Sequence, residues 1–215
     1  MPGRPELAAN LAQVRGRIEA AGRDPDLVEI VAVTKGQPAE VCQAAVDLGL
    51  SRLGENRVQE ALRKMPVVQG AEWHLVGHLQ TNKVRHAASF QLIHSLDSLE
   101  LAQALADRDS PPVLLEVNVS REPAKHGVAP ESALELAEEV AQLLDLRGLM
   151  AMGPAEGDPR PAFAELRRLR EQAEQRLGRS LPVLSMGMSD DLEAALTEGS
   201  TMLRLGRALF GDRTL

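Results

Sequence analysis

Residues 28–34 read Val-Glu-Ile-Val-Ala-Val-Thr, a short, β-branched and nearly all-apolar run, and a lysine, Lys35, comes directly after it. Such a run, without polar alternation, suits a strand buried on both faces in a parallel sheet. The alanine-rich stretch 39–48 follows as a helix that Gly49 closes, and upstream an opening helix over 6–21 is stopped by Gly22 and Pro25. The same rhythm then repeats to the other end. Strand-like pieces lie at 52–54, 73–76, 92–94, 113–119, 146–150, 183–185 and 202–205. Helical pieces lie at 58–64, 83–88, 98–107, 130–144, 160–177 and 191–197, with a last turn beyond. Alternation of this kind predicts an α/β chain whose parallel sheet is covered by helices. Eight units fit a closed (β/α)8 barrel of the TIM type, here with an extra N-terminal helix, better than an open doubly wound sheet. The glycine- and proline-rich segment 153–161 reads as a loop within one domain spanning 1–215, not as a hinge between two.

Composition narrows the function. The 215 residues are 44% hydrophobic and 26% charged, which excludes collagen-like, disulfide-rich and disordered classes. A chain of this length buries about two-thirds of its unfolded surface and folds without a disulfide or metal. The net charge of −7 argues against nucleic acid as a partner, since such proteins present a basic face to phosphates. Trp73, Phe90, Phe163 and Phe210 are the only aromatics of their class, and the absence of tyrosine removes it from the catalytic acids and bases. The single cysteine, Cys42, fits a reducing compartment, and no segment approaches a membrane span, so a cytoplasmic protein without membrane contact is expected.

A barrel of this type carries its chemistry at the C-terminal ends of its strands. Lys35 stands at the first of these, one of four lysines against twenty arginines. It reads either as a solvated loop lysine or as a Schiff-base lysine, an amine that partial burial makes nucleophilic and that no arginine can replace. At the seventh and eighth strand ends stand SMGMSDD (185–191) and LGRALFG (205–211). Ser185, Ser189 and the amides near Gly187 and Gly206 read as donors to a phosphate, with two ordinary turns as the alternative. Asn56 in GENRVQE, and Thr81 or Asn82 in WHLVGHLQTNK, read most simply as helix caps. His74 and His78 have a spacing that serves a metal only on a helix, and here it straddles a strand end, so no metal site is expected.

Taken together, VAVTK, GENRVQE, WHLVGHLQTNK, HGV (126–128), GLMAMGP and SMGMSDDLEAALTEGSTMLRLGRALFG resemble the pyridoxal 5′-phosphate homeostasis protein family, also called the proline synthase co-transcribed homologues. The resemblance runs from about Val28 to Gly211. It implies a single barrel similar to the N-terminal domain of alanine racemase, with Lys35 holding pyridoxal 5′-phosphate as an aldimine. It further implies that Ser185, Ser189, Gly206 and Arg207 surround the phosphate, that Arg204 faces the pyridine nitrogen and that Asn56 lies beside the ring. Arg207 stands where the family often has threonine, so its backbone amide, not its side chain, is the expected contact. The implied function is to hold, buffer or deliver the cofactor in vitamin B6 homeostasis without turnover, as a monomer, with apo forms of cofactor-dependent enzymes as partners. Two rivals stand beside it: an amino-acid racemase of low activity, and a Schiff-base aldolase acting on a sugar phosphate.

Overall fold

The structure is a computed structural model that describes residues 3–212. The apolar run opens as β1 (Glu29–Val33), and seven strands follow: β2 (Arg52–Glu55), β3 (Glu72–Leu75), β4 (Leu92–Leu96), β5 (Val113–Glu116), β6 (Leu146–Met150), β7 (Val183–Ser185) and β8 (Met202–Leu205). Every neighbouring pair is parallel, and the sheet closes into a barrel because β1 pairs with both β2 and β8. The register sets Val33 against Gly54 and Val31 against Arg204.

Helices α2 (Ala39–Val46), α3 (Val58–Lys64), α4 (Leu99–Ala106), α5 (Ala133–Leu143), α6 (Arg160–Leu177), α7 (Leu192–Thr197) and α8 (Arg207–Phe210) follow the strands, and α1 (Arg4–Ala20) precedes them. The third unit departs from expectation. Its connection is a 3₁₀ segment, Thr81–Ser89, entered at Gln80 with no side-chain cap, so neither Thr81 nor Asn82 caps it. Asn56 is likewise not a cap, because α3 is entered from Arg57 in an extended conformation. Strand β5 ends at Glu116, earlier than the apolar sequence to Val119 suggests, and beyond it only a bridge from Val117 to Val128 continues the pairing.

Two apolar layers hold the barrel. The larger lies between sheet and helices and includes Leu53, Leu75, Phe163 and Leu203. The smaller fills the barrel interior with Val31, Leu92, Leu114, Met150 and Met202. Helix α1 is the addition to the eight-unit plan, and it backs the β7 and β8 loops. Asn10 donates to Leu209 O at 2.9 Å, and Arg17 donates to Ser189 O at 3.1 Å while pairing with Glu193 on α7. Among the described residues no helix is long and apolar enough to cross a membrane.

Candidate functional site

At the C-terminal mouth of the barrel a cavity of about 420 Å³ is lined by Lys35, Asn56, Ser189, Arg204, Gly206 and Arg207. That volume lies in the usual range for a small-molecule or cofactor pocket. Six of the seven residues expected at the site therefore meet there. Ser185 does not: its hydroxyl is fully buried at the end of β7, beneath the cavity.

Lys35 sits two residues past β1, half-buried, and the backbone on both sides of it is tied to one charged cluster. The Lys64 ammonium donates to Thr34 O at 2.8 Å, to Glu55 Oε1 at 2.6 Å and to Glu60 Oε1 at 2.7 Å. Glu60 accepts from the Gly36 amide at 2.6 Å, and Glu55 accepts from the Thr34 hydroxyl at 2.7 Å. Lys64 and Glu55 are buried. Burial favours the neutral form of Lys64, but its bonds to Glu55 and Glu60 outweigh that and hold its pKa above the ordinary lysine range. Burial pushes Glu55 upward against the pull of Lys64 and Thr34. The ammonium is the firmer of the two charges, having three acceptors, whereas Glu55 Oε2 has no partner among the described residues.

Gly77 brings Asn56 to the cavity. A Cβ on Gly77 would lie 2.4 Å from Asn56 O and 2.7 Å from Asn56 Cα, so only glycine allows the ends of β2 and β3 to approach this closely. The Ser95 hydroxyl secures the same crossing by donating to Gly77 O at 2.8 Å.

On the far side the loop after β7 turns through Gly187, whose φ of +99° suits glycine and whose added Cβ would meet Ala195 and Leu203 at 2.7 Å. Ser189 then accepts from the Ala208 amide at 2.9 Å, joining the two loops, and Arg207 pairs with Asp190 on the exposed rim.

Arg204 crosses the cavity floor. It donates from Nη1 to Ser185 O at 2.8 Å and Oγ at 2.7 Å, and from Nη2 to Ala151 O at 2.9 Å. Burial brings its pKa down to about 10, against the favourable charges of Glu116 and Asp191, and it stays charged at neutral pH. Behind it runs a chain through the barrel interior, His94 Nδ1 to Ser185 Oγ at 3.1 Å and His74 Nδ1 to His94 Nε2 at 3.0 Å. An arginine can only donate, so the Ser185 proton is left for His94 Nδ1, and His94 in turn donates from Nε2 to His74. Burial first, then the neighbouring positive charges, lowers both histidines, His74 to about 4 and His94 well below its ordinary value. Both are neutral at pH 7, which the one-way chain requires.

A second cavity of about 520 Å³ adjoins the first, sharing Asn56, Val76 and Met152 and adding Glu116, His78, His126 and Lys83. Glu116 ends β5, opposite β1 in the barrel, and burial raises its carboxyl to about 7, with Arg204 pulling it down and Asp97 pushing it up.

Sequence reading gives no role in the site to Glu55, Lys64, His94 or Glu116. Glu55, which ends β2, and His94, within β4, are ionisable groups in otherwise apolar strands, which is the signal that marks them. Lys64 carries no such signal, because on α3 it reads as one more basic residue in a last turn.

Known proteins place this architecture. Residues 4–214 match the family model described as alanine racemase, N-terminal domain. The pyridoxal phosphate homeostasis protein of Pseudomonas aeruginosa is 46% identical over 221 residues, covering 96% of each chain. Among solved structures, PipY of Synechococcus elongatus with PLP bound superposes with a TM-score of 0.82 at 34% identity, covering 95% of this chain and all of that one. The alanine racemase of Corynebacterium glutamicum shares the fold, with a TM-score of 0.77 at 16% identity over 99% of this chain and 62% of its own. The chain belongs to the pyridoxal phosphate homeostasis protein family, built on the alanine racemase N-terminal-domain barrel.

Proposed function

We propose that this protein binds pyridoxal 5′-phosphate through an imine to Lys35 and holds it for use elsewhere in the cell, as a cytoplasmic, single-domain monomer without turnover of its own. The observation that carries this reading is the convergence of Lys35, Asn56, Arg204 and the Ser189 and Gly206–Arg207 loops on one cavity, although the sequence scatters them from β1 to α8. The donor set fits the cofactor. An amine-bearing side chain lies on one wall, and hydroxyl and backbone groups on the other suit a phosphate. Between them an always-charged guanidinium suits an unprotonated pyridine nitrogen. In this assignment Ser189 and the backbone at Gly206 and Arg207 take the phosphate, Asn56 flanks the ring, and Ser185 orients Arg204 from below.

When bound, the cofactor supplies an aldehyde and an electron sink. Arg204 weakens that sink, because a fixed positive charge disfavours protonation of the neighbouring nitrogen. The sequence also holds no tyrosine to serve as an opposing base. Cofactor is therefore retained and passed to apo enzymes that use it, while amino acids are left unchanged.

Borohydride reduction of the cofactor-loaded protein followed by peptide mapping tests the anchor, with the pyridoxyl group expected on Lys35. Finding it on Lys83 or Lys125 overturns the assignment. Chiral analysis of alanine incubated with stoichiometric loaded protein tests the lack of turnover, and rapid Lys35-dependent racemisation would convert the carrier into an enzyme.

A further inference from the structure

The His74–His78 pair that the sequence sets side by side is split by the fold. His74 joins the interior chain, and His78 emerges at the rim, where it meets two groups from further along the chain. His78 follows β3, Asp97 follows β4, and His126 lies in the loop after β5, so three consecutive strand ends each contribute one donor. Their donor atoms all lie within 4.8 Å of one another, and His78 Nδ1 is 3.4 Å from an Asp97 oxygen. The rings of His78 and His126 stack at 4.4 Å and 12°. A tetrahedral centre with bonds of about 2.1 Å has ligand–ligand edges of about 3.4 Å, so the His78–Asp97 edge already has its length. His126 has to close by no more than about 1.4 Å, which an exposed side chain does by small torsional changes.

A histidine–carboxylate approach and a ring stack account for those three residues alone, but they leave Glu116 unexplained. Glu116 is 4% exposed and lines the same cavity as His78 and His126, yet among the described residues its carboxyl has no hydrogen bond or ion pair, only the charge of Arg204 favouring its ionised form. Buried carboxyl groups are normally paired or turned toward a cation.

We propose that His78, Asp97 and His126 form a binding site for a divalent transition-metal ion of the zinc, cobalt or nickel type. Water completes the coordination, and Glu116 accepts from one of those waters. Two imidazoles and one carboxylate suit borderline ions, whereas magnesium and calcium prefer all-oxygen cages. The site borders the Lys35 cavity at Asn56 and depends on no part of the cofactor reading.

The test uses the whole chain, stripped with a chelator and free of cofactor, titrated with zinc by calorimetry and with cobalt by visible absorption. One equivalent is expected to bind with micromolar affinity. Loss of an outer-shell partner typically costs about 10–100-fold, so Asp97→Asn and His126→Ala should each weaken binding at least about 100-fold and Glu116→Gln about tenfold. His86→Ala, which alters a histidine outside the cluster, should change nothing, and circular dichroism confirms that each variant is folded. Zinc uptake that is unchanged in Asp97→Asn and His126→Ala, no uptake at millimolar zinc, or equal affinity for magnesium would each overturn the site.

Discussion

Beneath Lys35 the charged groups are buried or half-buried and hydrogen-bonded to several partners at once, whereas across the mouth, around Ser189 and Arg207, they pair on the exposed rim. Lys64, Glu55 and Glu60 reach Thr34 and Gly36 on either side of Lys35, so the backbone there cannot shift without breaking an ion cluster built on buried Lys64 and Glu55. On the other wall the loops meet through one serine–amide bond and an ion pair in solvent. The contrast separates two demands on a carrier. The covalent anchor proposed at Lys35 would have to stand at a fixed distance and angle, and a buried network would supply that. In the proposed function the phosphate has to be released as well as held, and a wall of backbone groups and solvent-facing side chains would bind it with modest, separable contributions.

Lys64→Met gives the largest expected effect. It leaves Glu55 without its cation inside the protein, and breaking a buried pair in this way costs about 3–5 kcal/mol. Urea unfolding of the cofactor-free protein reads this, and a loss below about 1 kcal/mol would remove the distinction between the two walls.

Glu116 extends the comparison to a buried carboxyl that no cation hydrogen-bonds among the described residues and that only the charge of Arg204 favours. Its pKa is about 7 in the folded protein against 4.5 for the ordinary group, so the folded state binds more protons between those values. Its contribution is present below about pH 4.5 and is lost as the pH rises through 7. At about 1.4 kcal/mol per unit the loss reaches at most about 3 kcal/mol. The stability advantage of Glu116→Gln over wild type should therefore be larger at pH 8 than at pH 5. Urea midpoints at the two values check the sign, and an advantage that shrinks with pH contradicts it.

Ser189→Ala tests the exposed wall directly. It removes the bond to the Ala208 amide and a proposed phosphate donor, and a single bond to a charged group is worth about 1.5–3 kcal/mol. Cofactor affinity, followed by absorbance titration, should fall about tenfold or somewhat more, with little change in the urea midpoint. The smallest effect belongs to Asp190→Ala. An exposed ion pair contributes about 0–1 kcal/mol, so stability and affinity should both stay close to wild type. A large loss from this variant would show that the rim is more than a solvated edge.

The barrel was readable because its strands are apolar runs of similar length punctuated by glycine, and period alone identifies such runs. Lys35 was readable for the same reason, as the only polar group placed directly after the most apolar of them. What escaped reading depends on which residues face one another across the closed sheet. Ser185 and Ser189 look equivalent in SMGMS, yet the first is fully buried beneath the cavity, bonded to Arg204 and His94, and the second opens onto the cavity. His74 and His78 look like a pair and are not. Asn56 looks like a cap, but the entry of α3 at Arg57 leaves it on the cavity wall. The 3₁₀ segment at Thr81–Ser89 lacks the side-chain cap at Gln80 that would have marked its start, which is why its boundaries were read short.

The closure of the barrel has a consequence for its birth on the ribosome. Strand β1 is synthesised well before its partner β8, with residue 29 paired to residue 202. Until β8 emerges, one edge of β1 is an unpaired parallel strand, and such edges invite association with other chains. Helix α1 waits with it, because the groups it grips, Leu209 O, Glu193 and Ser189 O, also belong to the last part of the chain. The wall assigned to the phosphate is therefore completed only when the first and last segments meet. On the proposed function, a nascent chain exposes Lys35 long before both walls of the cavity exist, and loading would await β8 and the loop that follows it.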